Sequence, residues 1–158
     1  MAAHLTEAAI TALDVSPGAL AIAITNAREH NLAGRIKFLQ SDLLSALDQE
    51  SETFDAIVSN PPYVAETDRD TLHPQVRKYE PASALFAGAT GLDIYRRLIP
   101  QAYSALKPNG LLALEIGHDQ QAAIASLLQA WHNLSFIKDL QQIPRVAVAQ
   151  RPVTPVLR

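Results

Sequence analysis

The stretch Phe54-Asp55-Ala56-Ile57-Val58-Ser59-Asn60-Pro61-Pro62-Tyr63 decides the fold. Its first six residues are mostly apolar and partly β-branched, which is typical of a strand buried in a parallel sheet. The two prolines end the strand, because each lacks a backbone N–H and fixes φ. A side-chain amide and an aromatic ring therefore follow directly after a predicted buried strand.

Outward from this stretch, apolar strands alternate with helices. Strands are predicted over 9–13, 36–39, 54–59 and 111–116, helices over 17–31, 91–107 and 119–131, and a closing strand pair over 134–140 and 145–149. Such alternation predicts an α/β fold with a mostly parallel sheet and helices on both faces. The segment 64–90 is predicted as a functional loop, 107–110 as a turn and 151–155 as a frayed tail.

Length, composition and charge exclude several classes of protein. With 158 residues, 48% of them apolar, the chain predicts one domain over 1–150 and a tail over 151–158. A net charge of −3 without a dense basic run argues against direct nucleic-acid binding. There is no cysteine and the histidines lack metal-ligand spacing, so no metal is predicted. The sequence shows no membrane span and no signal peptide, which predicts a cytoplasmic protein.

Two carboxylates follow the first two predicted strands. Parallel sheets bind ligands beyond the carboxyl ends of their strands, which is where Asp14 and Asp42 are predicted. Asp14 there can accept hydrogen bonds from ribose hydroxyls. Asp42 can accept from an exocyclic amino group such as that of adenine, with Leu43 against the base. The alternative is structural: Asp14 flanks the helix that begins at Pro17, Asp42 caps a turn, and Leu43 is core.

The Asn60-Pro61-Pro62-Tyr63 motif follows the third predicted strand. The amide oxygen of Asn60 and the carbonyl of Pro61 can accept both hydrogens of an incoming –NH2 group, and Tyr63 can stack on its plane. A rigid turn leaving the sheet is the alternative. The position directly after a buried strand favours a binding and catalytic role.

Six segments together resemble one family. They are Asp14-Val15-Ser16-Pro17, Gln40-Ser41-Asp42, Val58-Ser59-Asn60-Pro61-Pro62-Tyr63, Val76-Arg77-Lys78-Tyr79-Glu80-Pro81, Gly91-Leu92-Asp93-Ile94-Tyr95-Arg96-Arg97 and Leu114-Glu115-Ile116-Gly117. In this order they resemble the HemK/PrmC protein-glutamine methyltransferases. The Asn-Pro-Pro-Tyr motif alone is shared with adenine and cytosine N-methyltransferases of nucleic acids.

The resemblance implies a class I, Rossmann-like methyltransferase fold with S-adenosylmethionine as the methyl donor. The implied substrate and partner is the glutamine of the Gly-Gly-Gln loop in peptide-chain release factors. By position, Asp14 would hold the cofactor ribose, and Asp42 with Leu43 the adenine. Asn60 would lie beside both the methionine moiety and the substrate. Asn60, Pro61, Pro62 and Tyr63 would bind the glutamine amide.

The family's glycine-rich cofactor loop has no counterpart here, since the chain contains no Gly-x-Gly. Residues 1–7 resemble the tail of the helix that follows this loop. We therefore expect the first strand, the loop and the N-terminal helical domain to be missing. The strands that end at Asp14 and Asn60 would then each lack a neighbour, and the chain alone would bind the cofactor weakly or not at all.

Three other functions remain open from the sequence. A sister family with these motifs methylates a glutamine of a large-subunit ribosomal protein. A nucleic-acid adenine N-methyltransferase shares the Asn-Pro-Pro-Tyr motif, but the negative net charge of this chain argues against it. A truncated, non-catalytic domain could bind a partner through 64–90, where an ion pair between Arg77 and Glu80 is predicted.

Overall fold

A computed structural model describes residues 1–48, 53–72, 75 and 81–153. The chain divides into two compact units, unit 1 over Met1–Asp48 and unit 2 over Gln49–Arg158. Arg77 and Glu80, for which the sequence predicts an ion pair, lie outside the described residues.

Unit 1 is a parallel β-α-β arrangement. It contains β1 (Ile10–Asp14), α1 (Pro17–Glu29), a 3-10 turn (Ala33–Arg35) and β2 (Ile36–Gln40). The two strands pair in parallel, with Ile10 opposite Ile36 and Asp14 opposite Gln40. Both strands lie where the sequence predicts them, to within one residue at each end.

Helix α1 begins with the predicted capping signal. The Ser16 side chain accepts the N–H of Ala19 at 3.2 Å, and Pro17 occupies the first helical position. Both features suit a helix N-terminus, where the first backbone N–H groups have no helical partner. The helix ends at Glu29 rather than at the predicted residue 31, because Asn31 adopts a left-handed φ of 58°.

Unit 2 contains a four-stranded sheet in the order β3-β4-β6-β5. Its elements are β3 (Phe54–Ser59), a 3-10 turn (Glu66–Thr71), α2 (Ala82–Leu85), α3 (Asp93–Ala105), β4 (Leu106–Glu115), α4 (Gln121–Leu127), β5 (His132–Lys138) and β6 (Pro144–Gln150). Strands β3 and β4 are parallel, whereas β6 is antiparallel to β4 and β5. The predicted closing strand pair is therefore confirmed, and its two strands are antiparallel.

The described strands form two sheets, β1-β2 and β3-β4-β6-β5. Within the described part of the chain, β1 pairs with β2 alone and β3 with β4 alone.

Helix α3 supplies much of the core of unit 2. Its buried residues are Tyr95, Leu98, Ile99, Ala102 and Ala105, which recur every three or four positions and so share one face. That face packs against β4. Helix α3 is two residues shorter at each end than predicted, and α4 spans Gln121–Leu127 instead of the predicted 119–131.

The predicted turn over 107–110 lies inside β4 and not before it, although Asn109 has the left-handed φ of 62° that is typical of a turn. Phe54 pairs with Leu106 while Ala56 pairs with Leu111, so β4 has a bulge between Leu106 and Leu111. The N–H of Asn109 donates to the carbonyl of Arg151 at 3.0 Å, which ties the bulge to the chain after β6.

The predicted fraying of 151–155 is wrong for Arg151 and Pro152. The guanidinium of Arg151 lies 4.9 Å from the centre of the Tyr103 ring and donates to the carbonyl of Leu106. Pro152 is buried. Residues from 154 onward lie outside the described part of the chain.

Two further segments differ from their predictions. The described part of 64–90 contains two short helical elements, and a β-bridge joins Val64 to Phe86. Residues 1–7 form turns rather than a helix, and the Arg35 guanidinium donates to the carbonyls of Ala2 and Leu5 at 2.8 and 2.5 Å. None of the helices in the described ranges is long and apolar enough to cross a membrane.

Candidate functional site

Asp14 lies at the carboxyl end of β1 in unit 1 and is exposed. One of its carboxylate oxygens accepts the backbone N–H of Ser16 at 2.7 Å, just before α1 begins. This is the helix-flanking role that the sequence left open. Among the residues that the structure describes, the other carboxylate oxygen has no hydrogen-bond partner, so Asp14 can also accept from a ligand.

Asp42 and Leu43 follow β2 at the same edge of this sheet. The N–H of Ser41 donates to the carbonyl of Asp14 at 3.0 Å, which places the chain after β2 beside the end of β1. Asp42 is exposed and Leu43 is half-buried. Leu43 has a φ of 55°, a left-handed conformation that costs a leucine about 1–2 kcal/mol. The structure thus brings Asp14, Asp42 and Leu43 to one edge, as predicted.

Asn60 lies directly beyond β3 in unit 2. Ser59, the last residue of β3, pairs with Leu114, so the strand fixes the backbone up to this point. The side chain of Asn60 is exposed, and no hydrogen bond joins it to another residue in the described ranges. Pro61 is buried and Pro62 half-buried. The motif therefore presents an unpaired amide on a rigid, anchored backbone.

Tyr63 is half-buried and held at its hydroxyl. The hydroxyl donates to Oε1 of Glu115 at 3.3 Å. Burial raises the pKa of Tyr63, the negative charge of Glu115 and the hydrogen bond to it raise the pKa further, and Arg145 lowers it. Tyr63 is therefore neutral near pH 7 and acts as a hydrogen-bond donor.

The fully buried Tyr95 also contacts Glu115, the last residue of β4. Its hydroxyl donates to the backbone carbonyl of Glu115 at 2.7 Å. Burial is the main cause that raises the pKa of Tyr95, followed by Tyr63 and Glu115. Both hydroxyls therefore hold Glu115, one at its side chain and one at its backbone.

Gln120 is a site residue that the sequence did not predict. Its Nε2 donates to the carbonyls of Tyr63 and Gly91 at 2.9 and 3.1 Å, and its Oε1 accepts the N–H of Gly117 at 3.0 Å. The sequence signal that could have indicated Gln120 is the presence of Gly91 and Gly117, its two glycine partners, because Gly117 directly follows the strand predicted over 111–116. The described residues contain no cluster of side chains that could hold a metal ion.

Known proteins with similar sequences are methyltransferases. The family model described as "Methyltransferase small domain" matches residues 1–78. The release factor glutamine methyltransferase of Koribacter versatilis is 43% identical over 145 residues, covering 92% of this chain and 51% of the relative. That of Moorella thermoacetica is 45% identical over 130 residues, covering 82% and 45%. The chain thus spans about half the length of the curated relatives it matches.

Known structures with a similar fold include methyltransferases. A methyltransferase from Pyrococcus furiosus has a TM-score of 0.62 and 18% identity, covering 96% of this chain and 68% of that one. The catalytic domain of hMettl16, in complex with MAT2A 3'UTR hairpin 6, has a TM-score of 0.68 and 16% identity, covering 99% and 60%. The chain has the α/β fold of class I methyltransferases, and by its sequence matches it belongs to the family of the release factor glutamine methyltransferases.

Proposed function

We propose that this chain carries the amide-binding and cofactor-binding residues of a methyltransferase that acts on glutamine. The methyl group passes from S-adenosylmethionine, which leaves as S-adenosylhomocysteine, to the side-chain nitrogen of the Gly-Gly-Gln glutamine in peptide-chain release factors, and this nitrogen gives up one proton to solvent. A release factor as substrate implies a cytoplasmic location. The observation that carries the proposal is the exposed, unpaired amide of Asn60 at the end of β3, beside the anchored Tyr63. The names of the relatives support this choice of substrate.

The chemistry of an amide explains what the motif must do. An amide nitrogen is a poor nucleophile, because its lone pair is delocalised into the carbonyl group. We infer that Asn60 Oδ1 and the carbonyl of Pro61 accept the two N–H groups of the substrate. These bonds orient the nitrogen and stabilise the positive charge that develops on it.

Tyr63 is proposed to stack on the plane of the glutamine amide. Its hydroxyl already donates to Glu115, and its raised pKa keeps it protonated near pH 7. It is therefore suited to fixing the substrate and not to removing a proton. Pro62 contributes rigidity, because a proline fixes its own φ and lacks an N–H.

The residues of unit 1 fit the cofactor by their chemistry. The second carboxylate oxygen of Asp14 can accept from the ribose hydroxyls, since only the first is used by Ser16. We propose that Asp42 accepts from the adenine amino group and that Leu43, held in its left-handed conformation, contacts the base. When bound, S-adenosylmethionine supplies an electrophilic methyl group.

The experiment that tests this function is transfer of a radiolabelled methyl group to purified substrates. Because the chain spans about half of its relatives, the enzyme is used as the 158-residue chain and as a chimera. In the chimera, this chain replaces the matching residues of the Koribacter versatilis relative. We expect the chimera to label a release factor, and not a variant whose Gly-Gly-Gln loop ends in alanine. Labelling of a ribosomal protein or of DNA instead would contradict the proposed substrate.

A further inference from the structure

The side-chain amide of Gln120 joins three separate backbone segments of unit 2. It donates to the segment after β3 at Tyr63 and to the segment before α3 at Gly91, and it accepts from the residue after β4, Gly117. A primary amide has two N–H donors, and both are used on backbone carbonyls. The side chain is half-buried, so these bonds are partly shielded from water.

Two of the three segments approach Gln120 so closely that a side chain at Gly91 or Gly117 would collide with its amide. A Cβ at Gly91 would lie 2.3 Å from the carbonyl oxygen of Tyr63 and 2.8 Å from Nε2 of Gln120. A Cβ at Gly117 would lie 2.9 Å from Oε1 of Gln120 and 3.3 Å from Cδ2 of the Tyr63 ring. The position of Tyr63 is therefore fixed by contact as well as by hydrogen bonds.

The Asn60-Pro61-Pro62-Tyr63 motif needs such external support. Its two prolines have no N–H to donate, and the pairing of β3 with β4 ends at Ser59. The next backbone hydrogen bonds begin at Val64, which donates to the carbonyl of Leu85 at 2.9 Å. The bond from Gln120 to the carbonyl of Tyr63 lies between these two supports.

We propose that Gln120 is a positioning residue for methyl transfer. It holds the peptide unit between Tyr63 and Val64, and through this unit it sets where Asn60 and Tyr63 meet the substrate amide. This inference rests on the amide-binding role proposed for the motif. Gln120 acts through the motif and does not touch the substrate.

The test compares Gln120→Leu with Gln121→Leu, a matched control at an exposed neighbouring position. The first readout is amide hydrogen exchange at Val64, whose N–H belongs to the same peptide unit as the carbonyl that Gln120 holds. Loss of all three hydrogen bonds of Gln120 predicts exchange more than about 10-fold faster in Gln120→Leu. Exchange in Gln121→Leu is expected to match that of the unchanged chain.

The second readout is steady-state methyl transfer to a release factor by the chimera that carries each variant. A positioning role predicts that kcat falls about tenfold or more, while the KM for S-adenosylmethionine is unchanged. Unchanged exchange at Val64 would overturn the inference, and so would faster exchange with an unchanged kcat. If the chimera with an unchanged Gln120 transfers no methyl group, the proposed function fails, and exchange at Val64 alone then decides whether Gln120 fixes the motif.

A second variant, Gln120→Glu, covers the case in which Gln120→Leu does not fold. The carboxylate keeps the shape of the side chain and the acceptor for Gly117 but has no donor for Tyr63 or Gly91. Two carbonyl oxygens facing the carboxyl group favour its neutral form and raise its pKa. The neutral carboxyl group has one O–H for the two carbonyls, so protection at Val64 and kcat, each relative to the unchanged protein, are expected to recover in part as pH is lowered through that pKa. No recovery would overturn the inference.

Discussion

Replacing Gly91 with alanine should destabilise unit 2 more than most single substitutions. Gly91 has a φ of 69°, and a Cβ there would lie 2.3 Å from the carbonyl oxygen of Tyr63 and 2.8 Å from Nε2 of Gln120. It would also lie 3.1 Å from the backbone nitrogen of Ala65. Two of these three atoms belong to the backbone, so no simple rotation of a side chain relieves the clash.

The size of the effect follows from two costs. A left-handed alanine costs about 1–2 kcal/mol relative to its ordinary conformation. Moving the carbonyl of Tyr63 away breaks one or both hydrogen bonds of Gln120, at about 0.5–1.5 kcal/mol each. The free energy of unfolding should therefore fall by about 2–4 kcal/mol. At roughly 4 °C per kcal/mol for a unit of about 100 residues, the Tm should fall by about 8–16 °C.

The assay is urea unfolding followed by the fluorescence of Trp131. It is the single tryptophan of the chain, it is 7% exposed, and its ring meets that of Tyr103 edge-on at 5.6 Å, so it reports on unit 2. Gly91→Asn separates the two costs, because asparagine tolerates a left-handed φ but keeps the Cβ. A loss below about 1 kcal/mol for Gly91→Ala would refute the close-approach argument.

The control is Gly34→Ala in unit 1. No heavy atom lies within 4 Å of a Cβ built there, and its φ is outside the left-handed range. The free energy of unfolding, followed by circular dichroism, should change by less than about 1 kcal/mol.

Three further predictions concern single side chains. Ser16→Ala should lower the stability of unit 1 by about 1 kcal/mol in thermal unfolding followed by circular dichroism, because the cap on Ala19 is lost; Ser16→Gly should cost only a few tenths. In an absorbance titration, Tyr63→Phe should remove a tyrosine that ionises above pH 10. Because the pKa of Tyr63 is higher in the folded than in the unfolded state, the stability that its neutral form contributes should persist below pH 10 and vanish as pH rises through the folded pKa. Asp139 accepts the N–H of Ile143, and this bond, with those from Arg145 and Gln141, lowers its pKa. The destabilisation by Asp139→Ala in urea unfolding should therefore be present at pH 7 and disappear as pH falls through the folded pKa of Asp139; an effect that is the same in acid would contradict this.

The parts of the fold that could be predicted from the sequence depend on neighbouring residues. The cap at Ser16 and Pro17 marks the start of α1 because both act within one turn. Strand β3 was predicted at its observed bounds, since an apolar run followed by two prolines defines both of its ends. The edge that carries Asp14 and Asp42 follows from the parallel pairing of two strands that are adjacent in the chain.

The parts that could not be predicted depend on residues far apart in the chain. The segment 107–110 has the composition of a turn, but it lies within β4 because Asn109 bonds to the backbone of Arg151. The same hydrogen bond holds Arg151, the first residue of the predicted tail, against β4. Gln120 reaches Tyr63 across 57 positions, and no local pattern marks such a contact.

The most direct test of the central claim is the rate of methyl transfer to a release factor by Asn60→Ala in the chimeric enzyme. The substitution removes the Asn60 oxygen that is proposed to stabilise the positive charge developing on the substrate nitrogen. We expect kcat to fall by about 100- to 1,000-fold. Binding of S-adenosylmethionine, measured by calorimetry, should be far less affected. The control Asn26→Ala, at an exposed position of α1, should keep the full rate. Transfer by Asn60→Ala at nearly the rate of the unchanged enzyme would contradict the role assigned to this motif.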